Sequence, residues 1–189
     1  MIIVKLMGGM GNQMFQFALY KALLAQGKEV KLDRAKFTHI DEKRKCFLDY
    51  GCFELKYELC TKAEARNYVL GTGMAARVLM RLLGDKRTHF YEKNEYEYDP
   101  NAMQLTEGYL DGFWQTWKYF KDIEPEIKRT YQFIDDLTGR DKLFEEQISG
   151  TNSVAIHVRR GDYAKHQDIY GNICTEDYYQ RAIELINEM

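Results

Sequence analysis

Ile2-Ile3-Val4-Lys5-Leu6-Met7-Gly8-Gly9-Met10-Gly11-Asn12-Gln13-Met14-Phe15-Gln16-Phe17 opens the chain, and its reading decides the fold. Ile2 to Leu6 is a short apolar run of strand type, stopped by glycines. From Asn12 to Gln26 the spacing turns helical. Met14, Phe17, Ala18, Ala22 and Ala25 share one side, and Phe15, Leu19 and Leu23 widen the apolar arc. Gly27 is the expected stop. Val30 and Leu32 then alternate with Lys31 and Asp33 as a second strand. Strand, glycine turn, helix, strand is a βαβ unit. It implies a parallel sheet with a right-handed crossover, and so an α/β fold.

Outward from this unit, Thr61 and Glu64 have capping-box spacing and open a helix near 62–70. The spacing predicts another over Met74 to Leu83, where Arg77, Arg81, Lys86 and Arg87 read first as a solvated face and second as a membrane-surface strip. Glu95, Glu97 and Asp99 alternate as the solvated edge of a strand would. Glu124-Pro125-Glu126 starts a helix to about Phe133, and a further helix is expected over 141–148. Ser149-Gly150-Thr151-Asn152 is the expected domain boundary. Val154 to Val158 reads as a buried-type strand, and Thr175 caps a closing helix whose apolar face includes Tyr178, Tyr179, Ile183 and Ile186. The expected domains are therefore 1–150 and 151–189. A strand and helix of βαβ type hand the chain to another strand, so 151–189 reads as the beginning of an incomplete domain.

Composition removes several classes of function. At 189 residues the chain is about one large domain, or one and part of a second. Its 27 Lys+Arg against 29 Asp+Glu leave no positive excess to suggest nucleic acid as a partner. No apolar run approaches the ~18 residues of a membrane span, and the opening run is too short for a signal-peptide core. A cytoplasmic protein is expected, peripheral at most on the inner face of a membrane. Cys46, Cys52, Cys60 and Cys174 have no CxxC spacing, and the histidines have no HExxH spacing, so no disulfide, zinc or other metal is implied. Asp-x-Asp is absent too. A sugar-nucleotide enzyme of this sequence must neutralise phosphate without a metal clamp.

The sharpest constellation is His157-Val158-Arg159-Arg160-Gly161-Asp162. Strand alternation puts His157 and Arg159 on one face at the carboxyl end of a strand, where open α/β sheets bind ligands. Two guanidiniums there can grip a pyrophosphate bidentately, with Asp162 holding one of them in position. A local Arg–Asp ion pair is the competing explanation. The glycine turn is less specific: Gly9 and Gly11 fit the first two glycines of a dinucleotide fingerprint, but Met14 stands in the third place. Asn12 and Gln13 add side-chain amides suited to hydroxyls or phosphate oxygens. The aromatic segment Tyr109 to Phe120 reads first as core and second as a sugar-stacking surface.

Gly8 to Gln16 followed by His157 to Asp162 resembles the bacterial α-1,2-fucosyltransferases of glycosyltransferase family 11. The Tyr96-Glu97-Tyr98-Asp99 and Trp114-Gln115-Thr116-Trp117-Lys118-Tyr119-Phe120 stretches, and Tyr178-Tyr179 before an apolar helix, are similar as well. The resemblance implies a Rossmann-like, two-domain fold of GT-B type. Residues 1–150 would be the acceptor-side domain and 151–189 the start of the donor-binding domain; members of the family are longer. It also implies an inverting galactoside 2-α-L-fucosyltransferase that uses GDP-fucose and neither cofactor nor metal. The acceptor would be a galactose-terminated glycan or lipid-linked oligosaccharide. Arg159, Arg160 and Asp162 would be catalytic. His157, Arg159, Arg160, Gly9, Gly11, Asn12 and Gln13 would bind the donor, and Phe15, Trp114 and Trp117 the acceptor. The base would be the leaving phosphate, Asp162 or Glu176. The competing functions are a non-catalytic sugar-nucleotide or glycan-binding fragment and an NAD(P)-binding oxidoreductase with Asp33 on the ribose.

Overall fold

A computed structural model describes residues 1–37, 45–69, 88–158 and 174–188. The chain divides into two compact units, Met1–Asp136 and Leu137–Met189. The helix expected over Met74 to Leu83 lies outside the described residues.

The first unit is built on four parallel strands: β1 (Ile2–Lys5), β2 (Val30–Asp33), β3 (His89–Tyr91) and β4 (Gly108–Asp111), in the order β2-β1-β4-β3. Ile3 stands opposite Lys31 on one side and Tyr109 on the other. The α/β reading and the parallel pairing of β1 with β2 both hold. Helix α1 (Met10–Ala25) makes the crossover, and its carboxyl end is a full Schellman motif. Gly27, at φ +76°, gives its N–H to Leu24, while Lys28 reaches back to Leu23. A side chain at 27 would be strained in that left-handed conformation, so the glycine fixes the helix end.

The two sheet faces differ in chemistry. Ile2, Val4, Val30, Leu32 and Leu110 join Phe17, Leu19 and Leu23 of α1 in one apolar core. The alternate positions carry Lys5, Lys31, Asp33, Tyr109 and Asp111. Helix α2 (Lys62–Tyr68) meets that second set through Lys31, whose ammonium lies 2.6 Å from Glu64. Its expected capping box is complete: Thr61 accepts from the Glu64 amide, and Glu64 accepts from the Thr61 amide. Beyond it come α3 (Pro100–Gln104) and α4 (Glu124–Thr130), the latter shorter than the expected run to Phe133.

Residues 95–97 are turn and bend and 98–99 are irregular, rather than strand. Local hydrogen bonds prevail there: Asn94 donates to Glu97, and Asp99 caps α3 through the Asn101 amide. Tyr96 and Tyr98 occupy the alternate positions, but at 75% and 39% exposed they bury no face that would hold a strand.

The second unit holds α5 (Gly139–Ser149) and α6 (Glu176–Asn187), capped by Thr175 as expected. Val154 to Val158 is not a strand: it has no ladder partner among the described residues, and Val154, Ile156 and Val158 are 57%, 53% and 48% exposed. An apolar, β-branched run takes strand form only where a neighbouring strand satisfies its backbone.

Candidate active site

Because β1 and β4 pair directly, the segments leaving them emerge side by side. β1 leads on to β2 at one flank, whereas β4 is fed by β3 from the other. Both exits lie at the carboxyl edge of the sheet, the edge at which α/β sheets hold ligands in a crevice.

The β1 exit is shaped by Gly8. Its φ is +81°, and a Cβ there would lie 2.6 Å from Asn12 Nδ2 and 3.0 Å from the Phe113 ring. Gly9 and Gly11 are different. A Cβ at either would meet nothing within 4 Å, and neither has positive φ, so packing does not demand glycine at either place. Gly9 is the N-cap of α1 and supplies no side-chain cap. Open glycines over an uncapped helix start admit an anion close to the backbone amides.

Gln13 and Gln16 stitch this exit to its surroundings. Gln13 is fully buried; its Nε2 donates to the carbonyls of Gly8 (3.1 Å) and Lys45 (3.4 Å), and its Oε1 accepts from the Phe47 amide. The side chain expected to face a ligand is thus committed inside the protein. Gln16, equally buried, accepts from the Met7 amide and donates to the Gly112 carbonyl, tying the exits of β1 and β4 together.

On the polar face of the sheet, Lys5 Nζ approaches Asp111 Oδ2 at 2.6 Å and His89 Nε2 lies 3.2 Å from the same oxygen. Burial pushes the Asp111 carboxyl up, but the hydrogen bonds of His89 and Lys5 outweigh it and leave the group below its ordinary value. Tyr109 donates to Asp33 at 2.6 Å. Asp33, the ribose partner of the oxidoreductase reading, is therefore already engaged by the protein. Burial raises the Cys60 thiol to about 12, which disfavours the nucleophilic thiolate.

The β4 exit is held by Glu92, whose two carboxylate oxygens accept the amides of Phe113 (2.6 Å) and Trp114 (2.8 Å). Burial raises its pKa, partly offset by those two amides. Trp114 takes φ +58°, uncommon for a bulky residue, and is fully buried against Phe90 and Tyr119. One residue on, Gln115 Nε2 donates to Asn12 Oδ1 at 2.6 Å.

Of the sequence-selected residues, Gly9, Gly11 and Asn12 therefore sit at the crevice, and Gln13 is sealed beneath it. Trp114 is core, as the first reading of the aromatic segment had it. Trp117 is 60% exposed, and Phe15 is half-buried with its ring 6.0 Å from that of Phe120. In the second unit, exposed His157 receives a hydrogen bond at its carbonyl from Tyr179. Arg159, Arg160 and Asp162 lie outside the described residues. Sequence reasoning passed over Lys5, His89, Glu92, Asp111 and Gln115. A charged residue closing each of two adjoining apolar strands was the available signal for Lys5 and Asp111. Among the described residues no group of three or more His, Cys, Asp or Glu could hold a metal ion, and no helix is long and apolar enough to cross a membrane.

A parallel sheet with an open glycine turn and polar groups at its carboxyl edge defines an α/β protein, a class that holds ligands at that edge. Its family follows from the sequence: Glycosyl transferase family 11 matches residues 88–189, more than half of the chain, and the chain belongs to that family. It is 28% identical to an Escherichia coli protein named alpha-1,2-colitosyltransferase, over 99% of this chain and 64% of that protein. It is 26% identical to the Escherichia coli O-antigen biosynthesis glycosyltransferase WbnK, over 97% of this chain and 67% of that one. The chain thus spans about two thirds of the length of these curated relatives. No solved structure matches.

Proposed function

We propose that the chain is an inverting, metal-independent glycosyltransferase that moves L-fucose from GDP-fucose to the 2-hydroxyl of a terminal galactoside, within a two-domain GT-B type protein. The observation that carries this reading is the family match across residues 88–189, which includes His157 to Asp162, together with a relative named for α-1,2 transfer. Arg159 and Arg160 hold the donor diphosphate, and His157 and Asp162 shape the same pocket. The acceptor oxygen attacks the anomeric carbon on the face opposite the diphosphate. The bond from that carbon to the phosphate oxygen breaks, and its electron pair leaves with GDP. The guanidiniums stabilise the charge that develops there, as a metal does in other enzymes. The hydroxyl proton passes to a carboxylate on the acceptor's side, Asp162 or Glu176. Gly9 and Gly11 let the donor approach the amides at the start of α1.

The relative's name favours a second donor, a colitosyl group, on the same machinery. Binding of the sugar nucleotide without transfer is the alternative of a different class.

Calorimetric titration with GDP and with NAD, followed by turnover of GDP-fucose with lactose, tests the proposal. GDP binding tighter than NAD, with fucosyl-lactose formed, is the expected result. Arg159→Ala lowers turnover by about 10²–10³-fold, the usual effect of removing one charge-stabilising donor. A loss under about tenfold removes Arg159 from its role. Tighter binding of NAD than of GDP overturns the whole reading.

A further inference from the structure

The exits of β1 and β4 carry a pair of half-buried side-chain amides that are hydrogen-bonded to each other. Gln115 Nε2 donates to Asn12 Oδ1 at 2.6 Å. This leaves Asn12 Nδ2 as a donor and Gln115 Oε1 as an acceptor, with no other hydrogen bond at either side chain among the described residues. Both side chains are half-buried at the crevice. If both amides are turned over, Asn12 donates to Gln115, and the pair still offers both N–H donors and an amide oxygen acceptor.

Unused amide N–H donors together with an amide oxygen complement a hydroxyl group, which donates once and accepts through its lone pairs. A phosphate oxygen fits worse: as an acceptor only, it would satisfy the amide N–H and set its charge against the amide oxygen. The chemistry of the pair thus selects a sugar hydroxyl over a diphosphate.

The pair is also fixed in place. Asn12 lies against the bare Cα of Gly8, where a Cβ would stand 2.6 Å from its Nδ2. Gln115 follows Trp114, whose amide is held by Glu92 and whose indole is locked in the core. Thr116 closes a tight turn onto the Trp114 carbonyl at 2.8 Å. A recognition group held this way loses little freedom on binding.

We infer that Asn12 and Gln115 together read a hydroxyl of the acceptor sugar, and that Glu92 is the positioning residue that aims Gln115. The identity of that sugar as a galactoside rests on the proposed function. The hydroxyl specificity rests on the amide pair alone.

The test is calorimetric or saturation-transfer titration of the full chain with lactose, with GDP titrated in parallel. Gln115→Ala weakens lactose binding about tenfold, as loss of one well-placed hydrogen bond does, and leaves GDP binding within about twofold. Gln115→Glu keeps the shape, removes the N–H that meets Asn12 and weakens lactose binding in the same direction. It serves as the second variant should the alanine protein melt early. Glu92→Gln weakens lactose binding in the wild-type background and not in Gln115→Ala, a dependence that a purely structural role would not produce. Unchanged lactose binding in both Gln115 variants overturns the inference and leaves the proposed function standing. So does a loss of GDP binding in place of lactose binding. Lactose binding that depends on Gln115 in a chain that does not bind GDP supports the inference and sinks the donor reading.

Discussion

Gln16→Leu is the most direct test of how the two strand exits are held together. The substitution keeps most of the volume and removes only the amide. In the native protein Gln16 Oε1 accepts from the Met7 amide at 2.8 Å and Nε2 donates to the Gly112 carbonyl at 2.9 Å, with the side chain fully buried. Leucine leaves both backbone groups facing an apolar side chain. Each buried, unpaired polar group costs about 1–3 kcal/mol, so two cost about 2–6. Movement of the glycine-rich β1 exit toward solvent recovers part of this, and about 3 kcal/mol of lost stability is the expected value. For a unit of this size that corresponds to a fall in melting temperature of roughly 10 °C. Urea denaturation followed by tryptophan fluorescence reads it well, because Trp114 is buried two residues beyond Gly112. The urea dependence should keep its slope, since the surface exposed on unfolding is the same. A loss below about 1 kcal/mol would refute the reasoning, and would mean that Met7 and Gly112 find other partners when the glutamine is absent.

Gly11→Ala should stabilise the protein by about 0.5–1 kcal/mol, because the position is helical and open, while GDP binding weakens if a ligand passes over it. Thermal melting and GDP titration of the same sample check both halves. Gly8→Ala acts in the opposite sense: its left-handed φ and the crowding by Asn12 and Phe113 predict a loss of about 1–2 kcal/mol in urea denaturation. Acid should act through depressed carboxyls. Glu64 is held at about 2, first by Lys31 and then by Thr61, and Asp111 is also held below its ordinary value. A depressed carboxyl stabilises the fold above its unfolded pKa and loses that contribution as pH falls through its folded one. Melting temperatures should therefore hold down to the ordinary carboxylate range and drop below it. Lys31→Met should reduce the part of that drop due to Glu64, and an unchanged acid profile would count against the ion pair.

The legible parts of the fold were those decided by neighbours in sequence. Apolar runs bounded by glycine, a helical arc ending at Gly27, the Thr61–Glu64 box and the Thr175 cap each depend on spacings of a few residues, and each is found. The crevice was only half legible, because its chemistry depends on which strand exits adjoin. The order β2-β1-β4-β3 brings residue 12 to residue 115 and residue 5 to residue 111, and no local spacing encodes that order. Gln13 shows the limit from the other side. Its residue type and its place after the glycines suited a ligand, yet the protein's own Gly8 and Lys45 carbonyls and Phe47 amide claimed it first.

Val154 to Val158 departs from strand form for the same reason, and this bears on the paired arginines. A run of β-branched residues states a preference for extended backbone, but only ladder partners turn that preference into a strand. Alternation sets His157 and Arg159 on one face only where such partners are present. Without the ladder, His157 is exposed, and the hydrogen bond that engages its backbone comes from Tyr179 of α6. The spacing of His157, Arg159 and Arg160 therefore does not by itself fix how they are aimed. It follows that a substitution which changes only strand propensity there, such as Ile156→Gly, should weaken GDP binding if pairing aims the arginines, although it touches neither guanidinium. Equal GDP affinity in that variant and the wild type would show that the diphosphate is gripped without the strand.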